Sequence, residues 1–349
     1  MKNSFKVGNN IIGEGHSSYI IAEMSANHGG SYQKAIEIIH AAAKAGADCI
    51  KLQTYTAETM TLDSNKKYFQ LSSGAWKGQY LYNLYQQAHT PWKWQSDLKK
   101  EAEKVGIDFF STPFDISAVD FLESINIEFY KIASFELNDL PLIKYIAEKG
   151  KPIIISTGMA TLGEIEEALN VIKQQKNDQV CLLKCSSTYP AVSENLNLKT
   201  ILALKKMFNL PIGFSDHSMG DVAAITAVVL GANVIEKHFC LTREFKTPDS
   251  FFSMEPHEFK EMVNNIRLAE KAIGKISFDL SSQEKMNRAK RRSIFISKDI
   301  EKGEIITSKN IKIIRPADGL APKYYNDVLN KKTRYKLTKG LPLSWEMLE

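Results

Sequence analysis

Short apolar runs recur along the first 280 residues, each ending in polar residues and followed by an amphipathic stretch. The runs are Ile20-Ile21-Ala22, Cys49-Ile50-Lys51-Leu52, Asp108-Phe109-Phe110, Phe129-Tyr130-Lys131-Ile132, Ile153-Ile154-Ile155, Val180-Cys181-Leu182-Leu183, Pro211-Ile212-Gly213-Phe214 and Val234-Ile235. Their length and β-branched or aromatic content predict eight strands. The stretches between them, such as SYQKAIEIIHAAAKAGA, carry helical spacing. They open at cap-type residues (Ser31, and Thr161 with Glu164 three on) and often stop near a glycine, Gly46 or Gly106. Eight strand–helix units predict a parallel sheet closed into a (β/α)8 TIM barrel, an α/β fold. An open doubly wound sheet is the competing architecture, but no glycine-rich dinucleotide fingerprint opens the first unit.

Two segments break the pattern. Between the second and third strands, Tyr55 to about His89, the connection is long, aromatic and rich in Ser and Gly, as lids and binding loops are. After Gly274 the chain turns polar, then shows short β-type runs parted by Gly, Asp and Pro. This predicts a barrel over 1–280, a linker over 281–292 and a small, mostly β module over 293–349. So small a module has a thin core and is expected to lean on a partner surface.

Composition narrows the class. With 44% hydrophobic and 24% charged residues, disorder and coiled coil are excluded. From Ser281 onward there are 16 Lys/Arg against 8 Asp/Glu, which leaves 29 against 32 before it, so the net charge of +5 conceals a basic tail on a near-neutral body. A tail gripping a polyanion is one reading, but its cations are scattered over turns and no nucleic-acid motif appears, so no nucleic acid is expected. Four cysteines (Cys49, Cys181, Cys185, Cys240) are too few for a disulfide framework, and Cys181 with Cys185 lacks the second pair of a zinc site. The N-terminus has no signal-type apolar stretch, and no run reaches the ~20 apolar residues that span a bilayer. A cytoplasmic protein with no membrane contact is the expectation.

In such a barrel the chemistry collects at the C-terminal ends of the strands. There the chain places Glu23, Asn27 and His28; Lys51 and Gln53; Ser111, Thr112 and Pro113; Lys131, Ser134 and Glu136; Ser156, Thr157 and Gly158; Ser186 to Tyr189; Ser215, Asp216 and His217; and Glu236, Lys237 and His238. Residues two apart on a strand face the same side, so Lys51 with Gln53, Ser215 with His217, and Glu236 with His238 can point into the mouth together. The seventh and eighth strands are neighbours, which makes His217 and His238 candidate ligands of one divalent cation with Glu236 in reach. Lys51 and Lys131 stand where inward positions are usually apolar, at a desolvation cost that calls for anionic partners. Three readings follow: a cradle for phosphate or carboxylate, internal salt bridges to Glu23, Glu136 or Glu236, or a Schiff-base lysine.

These same residues carry a resemblance. Ile20 to His28 (IIAEMSANH), Lys51 to Tyr55 (KLQTY), Lys131 to Ser134 (KIAS), Ser156 to Met159 (STGM), Gly213 to His217 (GFSDH) and Glu236 to Phe239 (EKHF) stand in order as in the sialic acid synthase family, which condenses phosphoenolpyruvate with a 2-acetamido sugar. The tail, with Lys302-Gly303-Glu304 and Ile314-Arg315-Pro316, resembles that family's SAF (antifreeze-like) domain. The insert with Trp76 and Leu81-Tyr82-Asn83-Leu84-Tyr85, and Cys185 to Pro190 (CSSTYP), are most similar to its pseudaminic acid synthase branch. N-acetylneuraminate synthases typically carry Asn where Ser187 stands and Phe where Tyr55 stands. That departure favours 2,4-diacetamido-2,4,6-trideoxy-L-altrose as the sugar, with a legionaminic acid or N-acetylneuraminic acid synthase as the alternatives.

The resemblance implies roles residue by residue. Lys51, Thr112, Lys131, Ser134, Ser156, Ser187 and Ser215 would hold phosphoenolpyruvate. His217 and His238 would bind Mn2+ or Mg2+, with Glu236 reaching it through a water. Glu23, Gln53, Tyr189 and Asp249 would face the sugar, and Glu23 or Glu236 would serve as the base. Arg315 would reach the sugar from the SAF domain of the partner in a domain-swapped homodimer. The implied reaction is a carbon–carbon bond-forming condensation with water that releases phosphate by C–O cleavage.

Overall fold

The computed structural model describes residues 1–74 and 76–349. Its strands are β1 (Ser4–Val7), β2 (Asn10–Gly13), β3 (Tyr19–Glu23), β4 (Cys49–Thr54), β5 (Asp108–Pro113), β6 (Tyr130–Ile132), β7 (Ile153–Ser156), β8 (Val180–Cys185), β9 (Ile212–Asp216), β10 (Val234–His238), β11 (Ser293–Ile296) and β12 (Ile311–Ile314). Among the described residues, β3 to β10 form a closed parallel barrel in sequential order, with β10 paired to β3. Each apolar run singled out above supplies one of these strands. Helices fill the intervals and cap as the sequence predicts. Ser31 accepts the Lys34 amide at the start of Tyr32–Ala45, and Thr161 and Glu164 form a capping box at the start of Leu162–Gln174. Gly46 and Gly106 take the left-handed conformation that ends two helices. One face of Tyr32–Ala45, with Ile38, Ile39 and Ala42, is fully buried against the barrel core.

The N-terminal hairpin was not foreseen. β1 and β2 pair antiparallel and sink Phe5, Val7 and Ile12 into the main core. Gly8, at positive φ in the hairpin turn, lies so close to the start of β5 that a Cβ there would strike the Asp108 carboxylate. Asn10 Nδ2 donates to the same carboxylate at 3.0 Å. The hairpin thus covers the N-terminal end of the barrel and leaves the C-terminal end open for chemistry.

The chain divides into two compact units, Met1–Gly274 and Lys275–Glu349. The stretch read as a linker, 281–292, lies inside the second unit and carries a short helix, Ser282–Asn287, with its own capping box. The second unit pairs β11 with β12 and has a core of Ile294, Ile296, Ile300, Ile311, Leu337 and Leu343. Among the described residues no helix is long and apolar enough to cross a membrane.

Candidate active site

The parallel register brings the inward-facing polar residues together. Glu23 lies opposite Lys51, Gln53 opposite Thr112, and Glu236 opposite Ser215. Lys51 Nζ donates to Glu236 Oε1 at 2.8 Å and lies 3.2 Å from Glu23 Oε2. Lys131 is only 1% exposed, yet its nearest carboxylate, Glu236, is 3.9 Å away. It donates instead to Ser156 Oγ at 2.7 Å and to the Ile132 carbonyl at 3.1 Å. Of the three readings of the lysines, internal pairing therefore describes Lys51. Lys131 is held mainly by neutral acceptors, which solvate an ammonium poorly.

The proton affinities follow from this arrangement. Burial raises Glu23 to about 7 despite Lys51. Burial also acts upward on Glu236, but Lys131 and Lys51 outweigh it and keep this carboxylate below the usual range. Burial brings Lys131 down to about 8. For Lys51, burial is outweighed by Glu23 and Glu236, which hold its ammonium firmly charged. The centre therefore contains two cations, one firm anion and one carboxylate poised between its forms, a net positive pocket suited to a small polyanion.

On the opposite wall, Gly158 donates its N–H to Ser134 Oγ at 3.0 Å. A Cβ on Gly158 would sit 2.1 Å from Ser187 Oγ and 2.8 Å from Ser134 Oγ, so only glycine lets the three converge. Ser215 Oγ donates to Glu236 at 3.3 Å, and Gln53 Nε2 donates to Glu23 at 3.1 Å. Asp249 accepts from Ser25 Oγ, and the Tyr189 ring stands 4.4 Å from that of His217.

The two histidines lie side by side, ring centroids 5.3 Å apart. His217 Nδ1 donates to the Ser186 carbonyl at 3.1 Å, which fixes the tautomer and leaves Nε2 bare. His238 is buried, its proton affinity lowered by burial and by His217, and its Nδ1 has no partner. Burial acts downward on His217 too, but Cys185 and the Ser186 carbonyl outweigh it and raise its proton affinity. With Nε2 bare on one ring and Nδ1 on the other, the two imidazoles fit a divalent cation. Among the described residues no group of three or more His, Cys, Asp and Glu side chains is disposed to hold one, so further coordination positions would fall to small molecules.

Other residues serve the frame. Asn27 Nδ2 donates to the Phe239 carbonyl and to Ser253 Oγ, both at 2.9 Å, and clamps the segment after β10. His28 is buried with its nitrogens on Thr90 and the Gly30 amide, and burial lowers it to about 4. Lys237 points to the other face of β10, where it donates to Asp216 at 2.6 Å. Arg315 lies in the second unit, on a cavity of about 760 Å³ with Arg288, Arg291 and Arg292. Cys185, read from sequence only as a motif residue and a poor zinc ligand, has its Sγ 3.8 Å from His217 Nδ1. Burial pushes the thiol up, but His217, Ser134 and Lys131 together outweigh it and bring it to about 7. Glu136, read from sequence as a strand-end polar residue and candidate ion-pair partner, is a largely buried carboxyl raised by burial to about 7. No spacing in the sequence marks either shift.

Among the described residues, six buried side-chain polar atoms lack a hydrogen-bond partner in the protein. Five belong to the barrel mouth: Glu23 Oε2, Thr112 Oγ1, Glu136 Oε2, Glu236 Oε2 and His238 Nδ1. Since buried polar groups are nearly always paired, such a cluster marks a place built for a ligand.

Comparison with known proteins agrees with the motifs. Residues 38–277 match the NeuB family and residues 291–349 the SAF domain. A pseudaminic acid synthase of Campylobacter jejuni is 47% identical over 322 residues, 92% of this chain and 94% of that protein. A pseudaminic acid synthase of Helicobacter pylori is 42% identical over 331 residues, 95% and 97% of the two chains. The crystal structure of N-acetylneuraminic acid synthetase from Leptospira borgpetersenii in complex with citrate aligns with a TM-score of 0.73 at 34% identity, covering 81% of this chain and 94% of that one. With the motifs in register on the barrel strands, the chain belongs to the NeuB family and carries a SAF domain at its C-terminal end.

Proposed function

We propose that this chain condenses phosphoenolpyruvate with 2,4-diacetamido-2,4,6-trideoxy-L-altrose and water, giving pseudaminic acid and phosphate. The observation that carries the reading is the cluster of unpartnered buried polar atoms around two buried lysines. Family membership and the similarity to two pseudaminic acid synthases support the choice of sugar.

Lys51 and Lys131 take the phosphate and carboxylate of phosphoenolpyruvate, with hydroxyls from Thr112, Ser134, Ser156, Ser187 and Ser215 completing the cradle. Anion binding gives Lys131 a closer charged partner than Glu236, which stands 3.9 Å away. Gln53, Tyr189 and Asp249 align the open-chain sugar. His217 and His238 hold a divalent cation, Mn2+ or Mg2+, which when bound supplies Lewis acidity toward the sugar aldehyde. C3 of phosphoenolpyruvate attacks the aldehyde carbon, the aldehyde oxygen takes a proton, and positive charge develops at C2. Water adds at C2 and gives up a proton. Glu23, whose proton affinity lies near neutrality, is the group suited to that transfer, while Glu236 stays ionised beside the lysines and stabilises the cation. Collapse at C2 breaks the C–O bond and releases phosphate.

The exposed Ile276 and Phe278, and an Arg315 with no carboxylate partner among the described residues, support a homodimer in which the SAF domain serves the partner's site. Four free cysteines fit the cytoplasm. A phosphate-release assay with phosphoenolpyruvate and three sugars tests the function. The diacetamido-trideoxy altrose is expected to give the highest kcat/KM. Higher values with N-acetylmannosamine or with the sugar precursor of legionaminic acid would replace the sugar, and no release with any would refute the reaction.

A further inference from the structure

The long connection after β4 reaches the barrel mouth. It places Trp76 against the mouth: its indole Nε1 donates to the Pro248 carbonyl at 3.2 Å, beside Asp249. The indole also packs on Tyr189, with ring centroids 5.8 Å apart, and on Phe251, 6.5 Å apart. Tyr189 continues the contact to His217 at 4.4 Å, and Phe252 reaches His238 at 4.7 Å. One side of a strongly polar mouth is therefore a continuous aromatic wall. It rises from the two histidines and ends at Trp76, which is half-buried, while Phe251 is 42% exposed.

We infer that Trp76 and the wall beneath it form a subsite for the non-reacting, apolar substituents of the sugar and set its preference for a deoxy, N-acylated hexose. The inference rests on the function proposed above. A sugar whose aldehyde is turned toward the histidines extends its far end along this wall. In 2,4-diacetamido-2,4,6-trideoxy hexoses that end carries a C6 methyl and a 4-acetamido group. N-acetylmannosamine offers hydroxyls at both positions. Aromatic faces gain from contact with methyl C–H groups and flat amides and gain little from hydroxyls, which lose water on approach. The indole N–H is already used on Pro248, so the ring is fixed and presents its apolar face at little further entropic cost.

The test is steady-state phosphate release by the full-length enzyme and by Trp76→Ala and Trp76→Phe, with 2,4-diacetamido-2,4,6-trideoxy-L-altrose and with N-acetylmannosamine. Trp76→Ala is expected to lower the kcat/KM ratio of the first sugar over the second by about tenfold. The change should fall on the sugar KM with the KM for phosphoenolpyruvate unaltered, and Trp76→Phe should keep most of the preference. An equal loss on both sugars, or no loss, would overturn the inference while leaving the reaction intact. A wild-type enzyme that prefers N-acetylmannosamine would overturn the sugar assignment and this inference together.

Discussion

The two ends of the barrel carry similar polar residue types, half-buried at one end and largely buried at the other, and treat them in opposite ways. At the N-terminal end, Asp108 accepts from Asn10 and from the Tyr19 hydroxyl, at 3.0 and 2.7 Å. Asp48 there accepts from the Ile20 amide and Arg267, and Glu270 from the Ser18 amide. At the C-terminal end, five buried polar atoms make no hydrogen bond among the described residues, and Lys131 has no carboxylate nearer than Glu236 at 3.9 Å. The first arrangement minimises the energy of the empty protein. The second is complete only when an anion arrives. Stability and function are thus separated along one axis of one fold.

That contrast can be broken at several points. The largest effect is expected at the histidines. His217→Ala or His238→Ala should lower phosphate release by about 10³-fold or more, a loss of the size seen when a key electrostatic stabiliser is removed. Excess chelator should abolish turnover of the wild type, with Mn2+ or Mg2+ restoring it. Full activity in chelator would exclude the cation.

A smaller effect concerns pH. Lys131 is charged below about 8 and neutral above it, so anion capture should weaken on the alkaline side. The kcat/KM for phosphoenolpyruvate is expected to fall about tenfold per pH unit above about 8. A profile flat to pH 9.5 would remove Lys131 from that role. The smallest effect on catalysis belongs to the other end. Asp108→Ala should cost about 2 kcal/mol of stability by orphaning Tyr19 and Asn10, with the KM for phosphoenolpyruvate within about twofold, the scatter of remote substitutions. Chemical denaturation and steady-state kinetics together check both halves.

The barrel was legible because its signal is repeated eight times. Short β-rich runs such as Ile153-Ile154-Ile155 alternate with capped helices, and parallel strands buried on both faces leave little room for another pattern. Period-2 spacing also separated Glu236 and His238 from Lys237, which the structure places on the other face with Asp216. The hairpin at Ser4–Gly13 was missed because its polar, glycine-rich look hid the alternation of Phe5, Val7 and Ile12. Cys185 and Glu136 stand in the strand-end motifs, but their shifted proton affinities were not legible there. Their chemistry comes from burial and from neighbours distant in sequence, His217 for the thiol and the mouth wall for the carboxyl. Asn27 and His28 erred the other way: they sit where catalysis gathers, but their hydrogen bonds are spent on the frame.

The claim that the mouth holds groups kept for a ligand is tested most directly by the thermal unfolding of the wild type and Lys131→Met, each with and without phosphoenolpyruvate. Removing a buried ammonium that lacks a close carboxylate should leave the melting temperature unchanged or raise it by about 2 °C, the size expected of a gain near 1 kcal/mol. Phosphoenolpyruvate should raise the melting temperature of the wild type and not that of the variant. A variant that melts well below the wild type and still responds to phosphoenolpyruvate would show that Lys131 serves the fold, and would contradict the account.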